Sequence, residues 1–137
     1  MATSVPPARL SAPASSHVDR FVRFAVPFLA YAGLIYWLSA QSHLPVPSRF
    51  PSFSTYAHFV EYFGFGILVA RGLAGYGVPL QRAVWLGALV CSFYGATDEY
   101  HQRYTPRRVP DVYDWVADTL GAGAGCSVWF LVVRRRA

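Results

Sequence analysis

The sequence predicts an all-α, polytopic membrane protein: a bundle of four transmembrane helices with the N- and C-termini in the cytoplasm. Three observations carry that expectation. Hydrophobic residues make up 54% of the 137 positions and charged residues only 14%, against about 25% charged in soluble domains. So little charge cannot cover a water-soluble globule of this size. Apolar stretches recur four times along the chain, and each reaches the ~20 residues needed to cross hydrocarbon when its polar ends are counted. No ten-residue period-2 alternation suggests a barrel strand, and inside a bilayer a helix satisfies its own backbone.

The same composition excludes other classes. A net charge of +5 invites a nucleic-acid reading, and all twelve basic residues are arginine. A nucleic-acid binder would gather them as a stripe on a soluble face, whereas here they punctuate apolar runs. No nucleic acid is expected. Cys91 and Cys126 both sit within apolar stretches, unlike the exposed cysteines of a disulfide framework, and read as small fillers.

Taken in order, residues 1–19 read as a disordered cytoplasmic tail, because Pro, Ala and Ser without periodicity cannot build a core. Arg20 and Arg23 open the first span, residues 21–39. A cleavable signal ending at Leu38-Ser39-Ala40 is the weaker reading, since this apolar core is longer than an h-region and carries bulky aromatics to its end. Residues 41–55 hold Pro45, Pro47 and Pro51 among serines, which is loop chemistry. The second span is expected at 56–73, the third at 82–100 after a Gly- and Pro-rich turn, and the fourth at 111–133. Residues 20–137 then form one domain.

Orientation follows from the arginines. With the N-terminus inside, the cytoplasmic ends hold Arg9, Arg20, Arg23, Arg71, Arg82 and Arg134 to Arg136, eight in all; the outer loops hold Arg49, Arg103, Arg107 and Arg108, four in all. Three polar sets then meet at one depth in the outer leaflet: His58 with Glu61, Asp98 with Glu99 and Gln102, and Asp111 with Asp114 and Asp118. His58, Glu61 and Tyr62 share one helix face by i, i+3, i+4 spacing, and Asp111, Asp114 and Asp118 share another. The second face continues through Gly121 and Gly125, a small-xxx-small pair suited to close helix packing. Carboxylates on a packing face point into the bundle. Ionisable groups at that depth are costly and read as a functional site.

Within this set Asp111, Arg103 and Arg107 read as a network pinning helix ends, and His101 as a water-surface residue. Tyr100, Tyr104, Tyr113 and Trp115 read as an interfacial belt. Arg108 is expected to fold back between Glu99 and Asp114 as a carboxylate-paired guanidinium. No tight H-x-x-x-H or H-E-x-x-H spacing occurs, so neither a metal nor another cofactor is expected.

Asp98-Glu99-x-x-Gln102, then Pro106, Arg108, Asp114, Asp118 and Gly121, resembles the signature of the VanZ-like family. His58 and Tyr62, with Leu68 beyond them, resemble the opening of that family's second helix. The likeness runs from about Tyr56 to Val133, with one departure: Asp118 stands where the family pattern has Asn. It implies a small multi-pass protein of the cell membrane, with namesakes linked to resistance to the glycopeptide teicoplanin, and it supplies no reaction. The leading expectation is a site that binds or handles an amphipathic cell-envelope component, such as a lipid-linked precursor. An intramembrane enzyme acting on a lipid head group is the first alternative, with carboxylate acid–base chemistry or a metal held by His58, Glu61, Glu99 and Asp114. A structural or accessory membrane protein is the second.

Overall fold

The computed structural model describes residues 16–42 and 53–136. They form four helices: α1, His17–Ser39; α2, Phe53–Gly75; α3, Leu80–Gln102; and α4, Val112–Arg134. The fold is all-α, as the sequence requires. Of the expected tail, residues 1–15 lie outside the described residues, as does most of the proline-rich loop, residues 43–52.

Residues 16–19, assigned to that tail, instead begin α1. Ser16 Oγ accepts from the Asp19 N–H at 3.1 Å and Asp19 Oδ2 accepts from the Ser16 N–H at 3.1 Å, a reciprocal cap that satisfies two otherwise free donors. The helix widens to a π-helical turn at Phe21–Ala25, directly before Pro27, whose missing N–H breaks the regular ladder. By length and composition α1 and α4 can cross a membrane, and they alone among the described helices pass that test. The other two carry charged groups toward the middle or both ends of their length, Glu61 and Arg71 in α2 and Arg82, Asp98 and Glu99 in α3.

The largest interface joins α2 to α4, and glycine makes it. A Cβ at Gly121 would collide with the Phe59 carbonyl, one at Gly125 with the Phe63 carbonyl, and one at Gly66 with the Ala122 backbone. Backbone against backbone is how helices gain van der Waals contact when lipid is as apolar as any side chain. The α3 helix also packs through glycine, but against side chains of α4, with Gly87 against Cys126 Sγ and Gly95 against Asp118. Both cysteines are free and buried, the fillers that the sequence implied. Ile35, Tyr62, Phe65, Val69, Cys91 and Ala122 form the apolar core beside these contacts.

α1 is attached differently. Tyr94 Oη donates to the Ala32 carbonyl at 2.7 Å and Tyr31 Oη to the Glu61 carbonyl at 3.1 Å. The Tyr31 ring stacks on Phe65 at 6.1 Å.

Candidate functional site

The polar ends of α2, α3 and α4 meet, and their side chains sort into two adjoining groups. The first is a buried cluster. His58 on α2 donates from Nδ1 to Asp118 Oδ1 on α4 at 2.9 Å, and its Nε2 faces Asp114 Oδ2 at 3.7 Å. Asp114 is gripped by the first turn of α2: Ser54 Oγ donates to Oδ2 at 2.9 Å and Thr55 Oγ1 to Oδ1 at 2.8 Å. Glu99 on α3 accepts from the Asp111 N–H at 2.8 Å and from Gln102 Nε2 at 3.2 Å. His58, Glu99, Asp114 and Asp118 are all buried, Asp118 completely so.

The second group lines a cavity of about 400 Å³ between α1, α2 and α3. Leu34, Ile35, Leu38 and Val60 supply apolar wall, while Glu61, Asp98, Gln102 and Arg108 supply polar wall. Gln102 links the two groups, because its amide also lies 3.4 Å from Asp98 Oδ2. Ser39 Oγ and Glu61 Oε1 are buried beside this cavity with no hydrogen-bond partner among the described residues. Leaving such groups unpaired costs about 1–3 kcal/mol each, so the cavity wall holds unused acceptor and donor capacity.

Residues assigned to one helix face therefore part company. His58 enters the cluster while also lining the cavity, Glu61 borders the cavity alone, and Tyr62, fully buried, joins the apolar core. Asp98 and Glu99 diverge likewise, one to each group. Asp114 and Asp118 stay together, and Gly121 and Gly125 continue their face into the α2 contact.

The expected pairing of Arg108 with Glu99 and Asp114 is not what the structure holds. Arg108 Nε donates to the Gln41 carbonyl at 3.2 Å and Nη2 lies 3.4 Å from the Leu38 carbonyl, and among the described residues it forms no ion pair with either acid. The end of α1 offers a negative dipole end and carbonyls with a second lone pair free, Leu38 already accepting from the Gln41 N–H at 3.1 Å. These compete successfully with carboxylates already held by Ser54, Thr55, Gln102 and the Asp111 N–H. The loop turns toward α1 through Arg107, which adopts a left-handed backbone with φ 66°.

Asp111 caps α4 by accepting from the Tyr113 N–H at 2.8 Å, the end-pinning role read for it. Arg103 lies over the Tyr100 ring at 5.4 Å, and the His101 ring sits 4.6 Å from that of Tyr36. Tyr100, Tyr104, Tyr113 and Trp115 are exposed around this end. Sequence reasoning missed Ser54 and Thr55, placing them in a loop, although Ser54, His58 and Glu61 stand at i, i+4, i+7 and could have extended the helix face by one turn.

Neither a curated protein nor a solved structure matches the chain. A sequence model of one family does: VanZ/LLP1, over residues 3–133. With nearly its whole length matched, the chain belongs to the VanZ/LLP1 family.

Proposed function

We propose that this VanZ-type protein spans the cell membrane four times, with both termini in the cytoplasm, and that its cavity binds an amphipathic, lipid-linked component of the cell envelope in the outer leaflet. The observation that carries the reading is the cavity's division into apolar and polar wall, with Ser39 Oγ and Glu61 Oε1 unpartnered at its edge. A lipid chain fits against Leu34, Ile35 and Val60. A head group bearing a phosphate, together with hydroxyl or amine donors, suits Arg108 on one side and Glu61 with Asp98 on the other. Arg108 spends two of its five donors on α1 carbonyls, which orients the guanidinium and leaves the rest for an anion. Outward-facing Trp85, Leu89, Phe93 and Leu120 support a lipid-exposed surface for α3 and α4.

Native mass spectrometry of gently extracted protein tests this. The expected result is a retained phosphate-bearing lipid on the wild type and its loss in Arg108→Ala. Equal retention in Arg108→Ala, or no retained lipid beyond the bulk phospholipid, overturns it. For the orientation, single cysteines on a Cys-free background should react with impermeant thiol reagents from outside at residues 41–55 and 98–110, and not at 72–81; outside labelling at Gly75 reverses the topology.

A further inference from the structure

We propose that His58 Nε2 and one carboxylate oxygen each of Glu99 and Asp114 form a binding site for one divalent transition-metal ion of zinc or manganese chemistry. The three residues come from three helices, all are buried, and their ligand atoms lie within 4.8 Å of one another.

Proximity alone would not make a site; the geometry around His58 does. Its Nε2 stands 3.7 Å from Asp114 Oδ2, too long for a hydrogen bond, whose N···O distance is about 2.7–3.2 Å. Two ligands each about 2.0–2.2 Å from a shared tetrahedral ion stand roughly 3.4 Å apart. The separation therefore suits the edge of a coordination tetrahedron. The other ring nitrogen is committed: Nδ1 donates to Asp118 Oδ1 at 2.9 Å. In the neutral ring that leaves the Nε2 lone pair, on a residue 8% exposed, aimed at a carboxylate. A cation makes this approach attractive, either a proton on Nε2, which turns the pair ionic, or a metal ion, whose binding displaces that proton.

The Asp118–His58 pair also has the form that supports metal-binding histidines, in which a carboxylate sets the tautomer and raises the ring's basicity. The two acids are held just as firmly. Ser54 and Thr55 orient Asp114, while Gln102 and the Asp111 N–H orient Glu99. Arg108, the cation expected between them, is instead engaged at the end of α1. One imidazole and two carboxylates without a thiolate suit zinc or manganese and disfavour soft ions such as Cu(I). Three protein ligands leave a tetrahedral ion one open position. The expectation of a metal-free site rested on spacing within single helices, and this ligand set is spread over three. His58 also lines the cavity, but the proposal needs no occupant there.

The test is metal content and affinity, read without any activity. Protein purified without chelator should carry close to one ion per chain, and chelator-stripped protein should rebind Zn²⁺ or Mn²⁺ with a stoichiometry of one in calorimetry. Glu99→Gln and Asp114→Asn should each weaken binding more than tenfold. Asp118→Asn keeps an acceptor for Nδ1 but not the charge, and should weaken it about tenfold. Arg108→Ala, which disables the lipid reading, should keep the metal, so the two proposals fail separately. Because a variant can misfold, X-ray absorption on the reloaded wild type gives a second readout, with one imidazole nitrogen expected among oxygen ligands. A wild type that binds no stoichiometric ion overturns the site, as does an all-oxygen shell without imidazole or affinity unchanged in folded Glu99→Gln and Asp114→Asn.

Discussion

α4 and α1 are the two described helices long and apolar enough to cross a membrane, yet they are held against α2 by different means. Between α2 and α4 the contacts are backbone to backbone across Gly66, Gly121 and Gly125. Between α1 and its neighbours side chains carry the contact: tyrosine hydroxyls and an arginine reach to carbonyls, and the Phe24, Phe28 and Tyr31 rings seat on Gly75, Gly72 and Gly64 of α2. Apolar area alone does not tell helices apart in lipid, so association must come from close packing or from polar bonds. Close packing yields a rigid pair, and the buried cluster sits at the end of that pair. Long side chains hold a helix farther away, and the cavity lies in the resulting gap. A fixed charge cluster and an open cavity thus need different interfaces, and the bundle has one of each.

The sharpest way to break this contrast is Gly125→Leu. Its side chain would meet the Phe63 carbonyl with no flexible group to yield, and ordinary overpacking already costs about 1–3 kcal/mol. Loss of folded, detergent-soluble protein is expected, whereas Gly33→Leu, which meets nothing within 4 Å, should leave thermal unfolding nearly unchanged. Tolerance of leucine at position 125 would refute the backbone seam.

Next in size is Asp118→Ala, which leaves His58 buried without its partner. Leaving the His58 Nδ1–H buried without an acceptor costs about 1–3 kcal/mol, and a shift in the unfolding midpoint by tryptophan fluorescence reads it. Asp118→Asn should be much milder, since an amide oxygen still accepts from Nδ1. Comparable losses in the two variants would mean that charge, rather than the hydrogen bond, secures the cluster.

The smallest effect is expected at α1. Tyr94→Phe removes one hydroxyl bond to Ala32 and should cost about 0.5–1.5 kcal/mol. Hydrogen exchange should then quicken in α1 while α2 and α4 stay protected. Uniform acceleration over all four helices would show that α1 is as integral to the bundle as α4.

Much of this protein is determined by its sequence alone. Composition points to an apolar surrounding for two of the four described helices, helix periodicity places His58, Asp114 and Asp118 on inward faces, and Gly121 with Gly125 marks where a neighbour can approach. These properties are local, depending on residue type and on the 3.6-residue turn. The family, too, is carried by spacing within the chain.

Partner choice is not local. Periodicity aims a side chain at a neighbouring helix but does not say which residue of that helix stands opposite, nor at what rotation. Hence His58 and Glu61, one turn apart, both line the cavity but only His58 reaches the α4 carboxylates, and Ser54 and Thr55 matter because the first turn of α2 faces Asp114. Arg108 shows the limit most plainly: its spacing in the sequence suggests two carboxylates, but only the folded path of the loop brings the Leu38 and Gln41 carbonyls at the end of α1 within its reach. Interhelical distance, set by glycine in one place and by tyrosine in another, decided the rest.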